Sequence, residues 1–95
     1  MNIIIDKRFK ETFGLIMAQY FAEAAPVDTG RLAGSFMPTM KVTRTGISFS
    51  LPFYAEYVEF GTSRMDSNPF MRDTITRKTK IAFQKTVKML YNKTI

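Results

Sequence analysis

The stretch Asn68-Pro69-Phe70-Met71-Arg72 opens the longest regular pattern in the chain. Asparagine is a favoured helix N-cap, and proline fits the first helical position because no N–H partner is needed there. The pattern continues to about residue 90, with apolar residues on one arc of the helical wheel: Met71, Ile75, Ala82, Phe83, Met89 and Leu90. The sequence therefore predicts a long C-terminal helix that packs one face against the rest of the domain.

The other side of this predicted helix is basic. It carries Arg77, Lys78, Lys80, Lys85 and Lys88. Acidic and basic side chains cancel over residues 1–69, so the formal net charge of +6 lies wholly in residues 70–95. Such a face meets nucleic acid, meets an acidic protein, or is simply a solvated helix face. The sequence leaves these three roles open.

An earlier amphipathic helix is predicted from Asp6 to Ala25. Its apolar residues recur every three or four positions: Phe9, Phe13, Ile16, Met17, Tyr20, Phe21 and Ala24. Asp6 is a suitable N-cap, and Pro26 ends the helix because the residue before a proline avoids the α region. The chain thus begins and ends with a long helix.

The middle of the chain predicts an antiparallel hairpin and one short helix. Apolar and polar residues alternate over 36–42, with Pro38 at an edge or bulge, and more cleanly over 47–51. Residues 43–46 form the hairpin loop, and residues 54–61 suit one or two helical turns. Three residues are expected at structural turns: Gly30, Gly61 and Pro69. The prediction is a single domain over residues 1–95 of the α+β class, with a small antiparallel sheet packed by two long helices and a short middle helix.

Composition argues against catalysis. The 95 residues include no cysteine and no histidine, which excludes disulfides, Cys/His zinc sites, thiol nucleophiles and Ser-His-Asp triads. Glu56 and Glu59 are one helical turn apart, and surface salt bridges are expected of them rather than acid–base chemistry. No apolar run approaches the roughly 20 residues of a membrane span, and Asp6 comes too early for a secretory signal. We expect no enzyme, no cofactor, no metal and no membrane partner.

Three segments in series resemble a known family. Residues 25–35 resemble its "PVDTG-x-L-x-x-S" element, residues 54–62 its "YA-x-YVE-x-GT" element, and residues 65–72 its "M-x-x-x-PF-x-R" element. The family is the small neck proteins of tailed bacteriophages and prophages, also called tail-completion or head–tail joining proteins. The segments agree in order and spacing and cover about a third of the chain. The hairpin region is shorter than in most members, and Met65-Asp66 stands where members often have Met-Pro.

The resemblance implies a structural virion protein without a catalytic step. It implies a homo-oligomeric ring, usually sixfold, between a head-closure or adaptor ring and the tail terminator or tail tube, with genomic DNA passing non-specifically through its lumen. The protein would be assembled in the host cytoplasm and carried in the neck or at the tail top. The candidate interface residues are Asp28, Arg31, Tyr54, Glu56, Tyr57, Glu59, Arg64, Met65 and Arg72.

Two questions remain open from the sequence. Phe60 and Phe70 are expected in the core, whereas Tyr54 and Tyr57 suit a core or an interface equally. The alternative function is a small basic nucleic-acid-binding protein that uses residues 70–95, although no aromatic stacking platform lies on the basic face. A nuclease-type enzyme would require clustered carboxylates around a metal, and the sequence offers no such cluster.

Overall fold

Two long helices, three short helices and a two-stranded hairpin make up the described part of the structure. A computed structural model of the chain describes residues 5–25, 30–52, 54–61 and 68–91. The elements in chain order are α1 (Lys7–Ala24), α2 (Gly30–Ala33), α3 (Phe36–Thr39), β1 (Lys41–Val42), β2 (Ile47–Ser48), α4 (Ala55–Phe60) and α5 (Phe70–Tyr91). The predicted α+β class, with its small antiparallel sheet, two long helices and short middle helix, is confirmed.

Helix α1 begins where the sequence predicts. The Asp6 carboxylate accepts a hydrogen bond from the Phe9 N–H at 3.0 Å, which satisfies one of the free donors of the first turn. The helix ends at Ala24, and Ala25 has the extended backbone expected before a proline. Its buried face lies against α5, which crosses α1 in the most extensive contact between two elements.

The hairpin packs on the other side of α1, over a glycine. Strands β1 and β2 are antiparallel, with Lys41 opposite Ser48 and Val42 opposite Ile47. A Cβ atom on Gly14 would lie 2.6 Å from Met40 Sδ and 3.0 Å from Ile47 Cδ1, so the missing side chain permits this close approach. The Lys10 ammonium donates to the carbonyls of Thr43 and Arg44 at 2.9 and 3.0 Å and ties the hairpin loop to α1.

Aromatic rings form the centre of the core. The Phe36 ring lies 5.2 Å from Phe21, 5.5 Å from Phe49 and 6.1 Å from Phe70, measured between ring centroids. These contacts join α1, α3, the segment after β2 and the start of α5. Offset and edge-to-face pairs of this kind stabilise a core beyond the area they bury. Among the described residues, no helix combines the length and apolar character needed to cross a membrane.

The predicted strand over 36–42 is wrong in its first half. Residues Phe36–Thr39 form helix α3, and only Lys41 and Val42 pair with β2. Pro38 is compatible with this helix because it lies in the first turn, where its missing N–H needs no acceptor. The apolar spacing from Phe36 to Met40 is four residues, which suits a helical turn as well as a strand.

Other boundaries also differ from the sequence predictions. Gly30 begins α2 instead of lying in a turn, and residues 26–29 lie outside the described residues. Strand β2 ends at Ser48, while Phe49 and Leu51 are half-buried against the core without continuing the ladder. Helix α5 begins at Phe70, one residue later than predicted, with the Pro69 carbonyl accepting from the Asp73 N–H at 3.0 Å.

The apolar face of α5 is only partly as predicted. The side chains of Ile75 and Met89 are 52% and 67% exposed. The buried residues are Phe70, Thr74, Ala82, Thr86 and Val87. Phe70 and Thr74 are four residues apart, and so are Ala82 and Thr86. Because four residues are slightly more than one helical turn, the line of buried residues moves around α5 as the helix crosses α1. A single arc on a helical wheel therefore does not describe the buried face. Thr86 is tolerated there because its hydroxyl donates to the Ala82 carbonyl at 2.8 Å.

Gly61 is the glycine whose backbone requires its lack of a side chain. It ends α4 with φ 79° and ψ 176°, a region nearly exclusive to glycine.

We expect Gly61→Ala to lower the free energy of unfolding by about 1–3 kcal/mol, measured by urea denaturation. Gly46→Ala is the matched control, because no atom lies within 4 Å of its added Cβ. Equal stability of the two variants would contradict the backbone argument.

Candidate functional site

A buried carboxylate joins the middle helix to the last one. The two oxygens of Glu59 on α4 accept from the backbone N–H groups of Met71 and Arg72, at 3.0 and 3.1 Å. Glu59 is 6% exposed, and the groups it accepts from are two of the unpaired donors in the first turn of α5. A carboxylate at a helix N-terminus is also stabilised by the helix dipole. Glu59 therefore acts as the N-terminal cap of α5, supplied from another helix.

Backbone hydrogen bonds complete this junction. The Asn68 N–H donates to the Val58 carbonyl at 2.7 Å, and the Phe70 N–H donates to the Asn68 carbonyl at the same distance. Together with the Glu59 contacts, they fix how the chain enters α5 relative to α4. The predicted surface salt bridge of Glu59 is wrong, since its carboxylate is occupied inside the protein. Glu56 is exposed, so the two glutamates do not share a cleft.

The three segments that resemble the neck family meet in one core. Leu32 of the first segment is fully buried. Val58 of the second segment and Phe70 of the third are also buried, with exposed fractions of 8% and 3%. All three belong to the same hydrophobic cluster. Ser35 closes the first segment, with its hydroxyl donating to the Leu32 carbonyl at 2.7 Å. The first segment is about twenty residues away from the other two in sequence, and folding brings its apolar member Leu32 into the same cluster.

The same segments also present side chains to solvent. Arg31, Glu56 and Arg72 are exposed, Tyr57 is 47% exposed and Phe60 is 76% exposed.

The predicted burial of Phe60 is wrong, and that of Phe70 is confirmed. Tyr54 is half-buried against the core cluster. The candidate residues Asp28, Arg64 and Met65 lie outside the described residues.

The basic side of α5 divides into two parts. The ammonium groups of Lys78 and Lys85 lie 5.1 and 5.0 Å from the centroid of the Tyr20 ring, and Lys85 donates to the Tyr20 hydroxyl. These two lysines therefore pack along α1, in cation–π contacts, and do not point away from it as predicted. The other three cations, Arg77, Lys80 and Lys88, are exposed and make no such contact with Tyr20. Within the part of the chain that the structure describes, the single salt bridge joins Lys7 to Glu11, so these three cations have no acidic partner.

A cavity of about 350 Å³ lies where the end of α1 meets the start of α5. Its charged lining consists of Glu23, Asp73, Arg77 and Lys78. Two carboxylates and two cations suit contacts with charged side chains of a partner. Over residues 5–25, 30–52, 54–61 and 68–91, no group of three or more acidic side chains is arranged to hold a metal ion.

Sequence reasoning missed two of these features. The sequence places Tyr20 on an apolar stripe, although its hydroxyl lies within reach of a lysine on α5. No local pattern distinguishes Glu59 from Glu56, because the N–H groups that Glu59 caps lie 12 and 13 residues further along the chain.

Comparisons of the chain with protein-family models, with curated proteins and with solved structures each give no match.

Replacing Glu59 tests its role as a cap. We expect Glu59→Ala to lower the free energy of unfolding by about 2–4 kcal/mol, because two N–H groups lose their acceptors in a buried place. Glu59→Gln keeps one acceptor oxygen and should lose about half as much. The control is Glu56→Ala on the exposed side of α4, expected within about 0.5 kcal/mol of the wild type. Urea denaturation measures all three, and equal stability of the Glu59→Ala and Glu56→Ala variants would refute the capping role.

Proposed function

We propose that this chain is a structural neck protein of a tailed phage or prophage. It forms a ring that joins the DNA-filled head to the tail and lets DNA pass through its lumen. The observation that carries the proposal is that the second and third family-like segments meet at the start of α5, while all three segments contribute buried residues to one hydrophobic cluster. Their buried members hold the fold together, and their exposed members remain available for partners.

The residue types at the junction suit protein contacts better than chemistry. Tyr57 and Phe60 leave large aromatic surfaces in solvent, and Arg31 and Arg72 are exposed in the two other segments. Aromatic and arginine side chains are the commonest energetic anchors of protein interfaces. A ring built from head-to-tail contacts uses two different patches on each subunit, which leaves both ring faces for different neighbours. Those neighbours are a head-closure or adaptor ring and a tail terminator or tail tube protein.

In this proposal, the exposed cations of α5 face an acidic neighbouring protein or the DNA in the lumen. Arg77, Lys80 and Lys88 are exposed and supply a modest positive charge. A strong cationic collar would slow the passage of DNA, whereas scattered cations would not. The protein is assembled in the host cytoplasm and acts in the virion without a catalytic step.

The same three cations favour a second candidate, a small non-specific nucleic-acid-binding protein. Each neutralised phosphate steepens the fall of log affinity with log salt by about 0.9. A variant with Arg77, Lys80 and Lys88 all replaced by Gln should therefore flatten this slope for duplex DNA by about 2–3, measured by fluorescence anisotropy. The control is Lys7→Gln on α1, where the lysine is paired with Glu11. The second candidate becomes the better one if the triple variant shows this loss while a lysate without the protein still contains intact virions, an outcome that the neck proposal does not allow.

The neck proposal is tested by removing the protein from its phage. A lysate from a phage or prophage with an early stop codon in this gene should contain filled heads and separate full-length tails in negative-stain electron microscopy. Supplying the wild-type gene from a plasmid should restore intact virions. Intact virions without the protein would overturn the proposal.

Complementation with point variants separates the partner surface from the scaffold. Tyr57→Ala should fold with nearly unchanged stability, because the side chain is half exposed, yet fail to restore joined virions. Met37→Ala is a matched control, since Met37 is 51% exposed and lies outside the three segments. Thermal denaturation checks folding, and the fraction of joined particles is counted by electron microscopy. Full activity of Tyr57→Ala would remove Tyr57 from the interface.

A further inference from the structure

An open apolar groove runs along α1 between the hairpin and α5. It consists of two adjoining cavities of about 240 and 360 Å³, which share Phe13 and Ile47 in their walls. Buried aromatic residues of α1 line it, and Phe49 and Phe83 contribute from the two sides. The rim is apolar as well, because Ile5 and Ile75 are 59% and 52% exposed. An apolar surface of this form is typical of a binding site for another protein.

The charge of the groove is one-sided. Among the described residues, Lys10 is the single charged one in its lining, and it lies at the end that is closed by the hairpin loop. The side chain of Arg44 is exposed on the same loop. No acidic side chain from the described part of the chain lines either cavity. The groove therefore suits an apolar ligand that carries a negative charge at one end.

Helix α4 presents a ridge of that composition. Its exposed residues are Glu56, Tyr57 and Phe60, which lie on one helical face because of their spacing. Phe60 is the most exposed large apolar residue of the described chain, at 76%. None of the three residues lines the groove, so the ridge and the groove are separate surfaces of one subunit. Burying two such aromatic side chains would remove several hundred Å² of surface from water.

We propose that the groove receives the α4 ridge of a second copy of this chain, with Tyr57 and Phe60 in the apolar cavities and Glu56 beside Lys10 and Arg44. This deepens the ring proposed above and rests on it for the choice of a second copy as the occupant. Because the ridge and the groove differ, the contact is head-to-tail. Each subunit then offers a free ridge and a free groove to the next ones, and repetition closes a ring when the rotation permits.

Two single substitutions remove one side of this contact each. Phe60→Ser removes the ridge, and Ile75→Lys places a charge at the rim of the groove. Each is expected to raise the dissociation constant of self-association by at least about tenfold, measured by analytical ultracentrifugation at the highest soluble concentration. The matched control is Ile81→Lys, which is also on the surface of α5 but outside the groove.

Mixing the two variants gives the sharpest test. The Phe60→Ser chain keeps an intact groove, and the Ile75→Lys chain keeps an intact ridge. An equimolar mixture should therefore form a heterodimer that cannot grow, although each variant alone is monomeric. Formation of the heterodimer also shows that both variants are folded.

Three results would overturn the proposal. In the first, the wild-type chain stays monomeric at every concentration. In the second, the variants self-associate like the wild type. In the third, the mixture remains monomeric although both variants melt at the same temperature as the wild type.

The outcome is independent of the test of the neck function. If the stop-codon lysate contained intact virions while the mixture formed heterodimers, the neck function would fail and the contact would stand. If heads and tails separated in that lysate but the Ile75→Lys variant restored joining and self-associated normally, the neck function would stand and the contact would fail.

Discussion

The carboxylate of Glu59 is the constraint on which the arrangement of the carboxyl-terminal half depends. A buried carboxylate loses its hydration, and this cost is offset only where hydrogen-bond donors surround it closely. The first turn of α5 supplies two such donors, in the N–H groups of Met71 and Arg72. The contact therefore gives acceptors to two N–H groups at the start of α5 and donors to the buried carboxylate on α4. It also fixes the direction in which the exposed face of α4 points.

Much of the fold follows from local sequence signals. Both long helices, the short helix before Gly61 and the hairpin loop are predicted correctly, because periodicity, caps and glycine act within a few residues of one another. The hairpin strands are predicted too long, since the core aromatic residue Phe36 is placed by a helical turn and Phe49 by a segment outside the ladder. Such choices depend on which ring packs against which, and a single sequence does not specify this.

The candidate site was less predictable than the fold. The exposure of Tyr57 and of Arg72 agrees with an interface role, but the sequence gives Glu59 and Glu56 the same appearance although one is a cap and the other is exposed. For Phe60 the prediction of burial is wrong, because it rests on the general preference of aromatic residues for the core. Lys78 and Lys85 belong to the α1–α5 contact, which becomes visible only once Tyr20 is positioned between them. The three family-like segments therefore combine buried residues with exposed ones. The spacing of residues in the sequence does not show which of them are buried.

We propose that this scaffold positions α4 at the boundary between subunits of a neck ring. Electron cryo-microscopy of the head–tail junction in virions that contain this chain tests this proposal most directly. We expect a closed ring of copies between head and tail, with Tyr57 and Phe60 of each copy buried against its neighbour. Density for the chain elsewhere in the particle, or a ring in which α4 faces solvent, would contradict it.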